Sequence, residues 1–136
     1  MKPLDFAKAF GLGLLLMVLN LALLFGLGFL YDTLINPGRT AAFYQTVYPK
    51  LGVWSAPIGA ITMLFLTAWL FGARRPARNP YLFGAAVFVS YIAIDTALGL
   101  ASGPLSALLI PPFLIALTGG AVAALAGAYV SQAKTP

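Results

Sequence analysis

Asp95 is the only charged residue between Arg78 and Lys134, and it sits in the apolar stretch SYIAIDTALGLAS, residues 90 to 102. At helical spacing it shares a face with Tyr91, Gly99 and Ser102, and more loosely with Phe88. A carboxylate inside a membrane costs about 2.5–3.5 kcal/mol on insertion scales, so it normally faces a cavity or a partner. Three roles are open to it. It serves an ion, proton or polar-ligand site; it is a buried strut hydrogen-bonded to Tyr91, Asn20 or Lys50; or it rises to the outer interface because its helix ends early. Asn20 is the other strongly polar side chain within an apolar run, at a depth within ~6 Å of that of Asp95. Asp32 and Lys50 flank the same side, with Arg39 in the adjoining loop. The candidate polar site is therefore Asp95, Tyr91, Asn20, Asp32, Lys50 and Ser102.

Other chemistry is poorly provided for. The 136 residues contain no Cys and no His, which removes thiol nucleophiles, disulfides, imidazole bases and His- or Cys-ligated metals. No phosphate-cradling loop occurs. Two aspartates in an apolar chain suggest an intramembrane aspartyl protease, but the second aspartate of that family follows Gly-x-Gly, whereas Ala93-Ile94 precede Asp95. No catalytic residue, cofactor or metal is expected. The net charge of +5 does not form a nucleic-acid patch, because the basic residues alternate with apolar runs.

The elements that must position the acids follow from composition. The chain is 61% hydrophobic and 8% charged, where soluble domains carry about 25% charged residues. Long uncharged runs predict four transmembrane helices at approximately 9–31, 51–73, 80–101 and 111–130, each long enough for a ~30 Å hydrocarbon core. The fold class is all-α, a four-helix transmembrane bundle in a single domain, 1–136. The first run is too long for a signal-peptide h-region and is expected to be retained. Span 4 begins either at Pro111, leaving Pro104 to Ile110 as a short interfacial helix, or at Pro104 as a kinked helix. The first is favoured because Pro suits a first turn and not a helix interior.

Lys and Arg set the orientation. Lys2, Lys8, Arg74, Arg75, Arg78 and Lys134 fall on one side, and Arg39 and Lys50 on the other. The bias predicts both termini in the cytoplasm and an inner-membrane location. Asp95 then lies ~10 Å below the outer boundary. In the outer loop, Thr40 is a candidate N-cap, Pro49 a stop, and Phe43, Tyr44, Val47 and Tyr48 share a helical face. This describes a short amphipathic helix at the outer surface or an aromatic-rich loop.

Small residues recur at steps of four. Gly99 with Gly103, and Gly120 with Ala124, flanked by Gly127, are candidates for close helix packing. Such rows serve packing within the chain, a homo-oligomer or a partner membrane protein.

Asp32, then Phe43-Tyr44, then Tyr91-Ile92-Ala93-Ile94-Asp95 resemble an uncharacterised family of small four-span bacterial inner-membrane proteins. The resemblance covers roughly residues 25 to 125. It implies the same four-span fold and brings no established activity. The leading functional expectation is a non-enzymatic inner-membrane protein that handles a small solute or ion at Asp95. The alternatives are an accessory or assembly subunit docking through its small-residue faces, which includes a lipid- or pigment-associated role, and a membrane-embedded enzyme.

Overall fold

The computed structural model describes residues 1–74, 78–103 and 110–133, except the side chain of Ser102. Four helices make up the described chain: α1 (Pro3–Leu30), α2 (Ala41–Phe71), α3 (Pro80–Ser102) and α4 (Pro111–Gln132). All four are long and apolar enough to cross a membrane. The chain is a multi-pass, all-α membrane protein.

Each helix starts where local chemistry favours it. Pro3 opens α1, and Asp5 on its first turn accepts a 2.9 Å hydrogen bond from the Lys2 N–H. Thr40 caps α2, accepting from the Phe43 N–H at 3.4 Å. Asn79 caps α3 through Oδ1, which accepts from the Tyr81 and Leu82 N–H groups, and Pro80 follows at the first helical position. Pro111-Pro112 begin α4, where a missing N–H costs no intrahelical bond. Span 4 thus starts at Pro111. The interfacial helix expected at Pro104 to Ile110 falls on residues 104–109, outside the described residues.

Span 1 is expected from residue 9, but α1 already starts at Pro3, and two further boundaries differ from the sequence expectation. At its end α1 widens into a π turn over Tyr31–Ile35, closed by the Asn36 N–H on the Tyr31 carbonyl at 2.9 Å. Gly38, with φ +73°, then lets the chain reverse. The second difference is at Pro49, which does not stop a helix. The aromatic segment after Thr40 is helical but continuous with span 2, so α2 runs 31 residues through Pro49 and Pro57. A proline removes one backbone bond from the ladder, whereas a break in apolar surroundings strands several polar groups. Continuing through the proline is the cheaper outcome.

The helices form a ring. α1 neighbours α3 and α2, α4 neighbours α2 and α3, and α2 touches α3 across the diagonal. Leu16, Met17, Ala60, Leu64, Phe83 and Val87 interlock as a buried central layer. Small residues set the closest approaches. A Cβ on Gly13 would stand 2.8 Å from the Ser90 Cβ, and one on Gly127 would contact the Phe65 carbonyl and lie 3.0 Å from the Trp69 nitrogen. Gly120 and Ala124 are buried beside Gly127, with Gly120 against Leu64 and Phe88. Gly103 is placed differently: among the described residues, a Cβ there would meet only the Gly99 carbonyl of its own helix, at 3.9 Å. Phe10, Val18, Phe25 and Phe29 on α1 project outward, as lipid-facing residues do.

Candidate functional site

All four helices contribute to one cleft of about 180 Å³. α1 supplies Asn20, α3 supplies Tyr91 and Asp95, α2 supplies Val53 and Pro57, and α4 supplies Phe113 and Ala116. Asp95 is half-buried, and among the described residues it has no hydrogen-bond or ion-pair partner. One turn earlier on the same face, the Tyr91 hydroxyl is held at the cleft floor. It accepts a 2.8 Å hydrogen bond from Asn20 Nδ2, which also donates to the Ala56 carbonyl at 3.1 Å.

Asn20 reaches this position because α1 and α2 come close at Gly59. A Cβ on Gly59 would collide with Asn20 Oδ1 and lie 2.9 Å from a Leu23 methyl. Asn20 Oδ1 itself is buried without a hydrogen-bond partner among the described residues. Pro57 has no N–H to offer the Val53 carbonyl one turn earlier. The cleft therefore sets one carboxylate beside one phenolic O–H in mostly apolar walls. A carboxylate in such surroundings suits a cation or a ligand rich in N–H donors.

The other candidates from the sequence lie elsewhere. Asp32 lines a separate cleft of about 290 Å³ with Leu24, Phe25, Gly28, Phe29, Tyr48 and Leu51, and its Oδ2 accepts a hydrogen bond from the Tyr48 hydroxyl. Lys50 is exposed and lines neither cleft. The side chain of Ser102 lies outside what is described. Asn20 and Tyr91 thus join Asp95, and Asp32 and Lys50 do not. Among the described residues no three carboxylates gather to hold a metal ion.

A buried ion pair had no counterpart in the sequence reading. Arg78 Nη1 lies 3.8 Å from Asp5 Oδ1, with both side chains about 95% buried (6% and 5% exposed). The Arg78 guanidinium also covers the Phe83 ring at 3.8 Å and donates to the Phe71 and Gly72 carbonyls that end α2. It ties the start of α1, the end of α2 and the start of α3 together. The usable signal was an acid in the first turn of span 1 at the end of the bundle that carries the arginines.

No family model, curated protein or solved structure matches the chain. The fold defines it as a four-helix multi-pass membrane protein, and its four helices share a cleft that holds Asp95.

Proposed function

We propose that the protein is a non-enzymatic membrane protein that binds a small monovalent cation or protonated amine at Asp95 and takes part in moving it across the bilayer. One observation carries this reading: Asp95, a carboxylate within a membrane span, opens into a cleft lined by all four helices and has no partner among the described residues. A structural strut would have spent that carboxylate on a neighbour. The Tyr91 hydroxyl, one turn away on the same cleft wall and already accepting from Asn20, supports the same reading, because it leaves the carboxylate as the charged group in the cleft.

Among the described residues the cleft stops at a packed layer. Below Asn20 and Tyr91 the layer of Leu16, Leu64, Phe83 and Val87 is closely packed. Transport accordingly involves helix rearrangement, or a pathway shared with a second copy or a partner membrane protein. The Lys and Arg bias supports an orientation with both termini in the cytoplasm of an inner membrane and the Asp95 cleft toward the outer face. Asp95 and Asp32 line separate clefts, so paired-carboxylate chemistry finds less support than ligand binding.

The test is current across proteoliposomes challenged with alkali cations and small primary amines. At least one should evoke a current that falls about tenfold or more in Asp95→Asn at equal protein incorporation, the scale expected when a desolvated charge partner is lost. Equal currents for the two proteins would refute the assignment.

A further inference from the structure

The end of the bundle that carries both termini has a cleft of a different kind. It encloses about 640 Å³ and is lined by Lys8, Gly11, Leu12 and Leu15 of α1, Phe71 and Arg74 at the end of α2, and Arg78 and Phe83. Lys8, Leu12 and Leu15 lie at spacings of four and three, so a single stripe of α1 passes from charge to hydrocarbon over ~10 Å. The wall at Gly11 is open: a Cβ there would meet nothing within 4 Å.

The cations have distinct duties. Arg78 is committed to Asp5 and to the carbonyls of α2. Arg74 is fixed differently. Its Nε donates to the Leu70 carbonyl at 2.9 Å, and its guanidinium lies 4.3 Å from the centre of the Phe71 ring. That holds the guanidinium plane while its terminal nitrogens remain without a protein partner among the described residues. Lys8 is exposed at the same mouth. Among the described residues three cations line this cleft, and the two not committed to Asp5, Lys8 and Arg74, are placed to receive an anion.

We infer that this cleft binds an anionic phospholipid, its phosphate between Lys8 and Arg74 and an acyl chain along Gly11, Leu12 and Leu15. Charge complementarity selects the headgroup, since Arg and Lys bind phosphate oxygens through charge-assisted hydrogen bonds. The apolar lower wall selects a lipid over a soluble phosphate, which would leave Leu12, Leu15 and Phe71 in contact with water. The inference is independent of the Asp95 cleft, which shares none of its lining residues.

Native mass spectrometry of the full chain in mild detergent tests it, with dioleoyl phosphatidylglycerol and dioleoyl phosphatidylcholine as probes. Phosphatidylglycerol should bind about tenfold more tightly, and Lys8→Gln and Arg74→Gln should each weaken it about fivefold, the scale of one surface charge on an anionic lipid. Arg74→Lys should retain most of the affinity. Phosphatidylcholine binding should be unchanged in all three, which also reports that the variants are folded. Lys50→Gln, at the opposite end, should leave the preference intact. Equal binding of the two lipids, an equal loss in Lys50→Gln, or displacement of phosphatidylglycerol by millimolar glycerol phosphate would overturn the inference.

Discussion

Asn20 Nδ2 stands 2.8 Å from the Tyr91 hydroxyl, and the same amide reaches the Ala56 carbonyl at 3.1 Å, so one side chain on α1 joins α2 and α3 at the floor of the Asp95 cleft. This junction orients the tyrosine, and Asn20 Oδ1 stays buried where α1 meets Gly59 of α2. A double-mutant cycle with Asn20→Leu and Tyr91→Phe should show coupling of about 0.6 kcal/mol and at most about 1.7, the range found for hydrogen bonds between membrane helices. Unfolding in mixed micelles supplies the four free energies. Strictly additive effects would mean that the pair is not formed.

The Asp5–Arg78 pair should be the costliest polar contact to break from one side. Removing one partner of a buried pair leaves a buried charge and destabilises by about 3–5 kcal/mol. Asp5→Leu alone should fall in that range when measured by unfolding in mixed micelles. The double variant Asp5→Leu/Arg78→Leu should recover part of the loss, less whatever the end of α2 forfeits when the Phe71 and Gly72 carbonyls lose their donor.

Glycines of similar appearance should differ in their tolerance of a side chain. Gly127→Val drives a branched side chain into the α2 backbone at Phe65 and Trp69 and should cost about 1–3 kcal/mol or more. Gly26→Ala meets open space and should be neutral, or stabilising by up to ~1 kcal/mol through the backbone. Equal melting shifts for the two would contradict the packing of α4 on α2.

The first turns of α2 should depend on contacts near Asp32. Thr40 caps them, Tyr44 stacks on Tyr48 with ring centres 6.0 Å apart, and Tyr48 bonds Asp32. Thr40→Ala should cost about 1 kcal/mol of local helix stability. Hydrogen exchange should report faster amides over residues 41–48 in Thr40→Ala and in Tyr48→Phe, with the core of α2 unchanged. Unchanged exchange in both would show that the segment is held by other means.

Much of this architecture was legible because it depends on one-dimensional signals. Uncharged runs marked the four spans, Pro111 marked one helix start, and Thr40 marked another. Pro49 misled because its usual penalty assumes that an interrupted backbone can turn to water. The depth of Asn20 beside Asp95 could be counted along the helices, but rotation about each axis could not. Rotation sends Asn20 to Tyr91 and turns Asp32 toward Tyr48 and away from Asp95. The Asp5–Arg78 pair escaped notice because its members are distant in sequence, and Arg78 served equally well as one of a cluster of orientation signals.

The chain has no cysteine, which makes thiol accessibility a clean probe of whether the Asp95 cleft receives cations. Val53 lines that cleft and is 39% exposed. In Val53→Cys, a small cationic methanethiosulfonate should react about tenfold faster than its anionic analogue, the ratio that ~1.4 kcal/mol of attraction produces. Adding Asp95→Asn should bring the two rates together. A protected thiol, or a charge preference that survives the loss of the carboxylate, would contradict a cation site at Asp95.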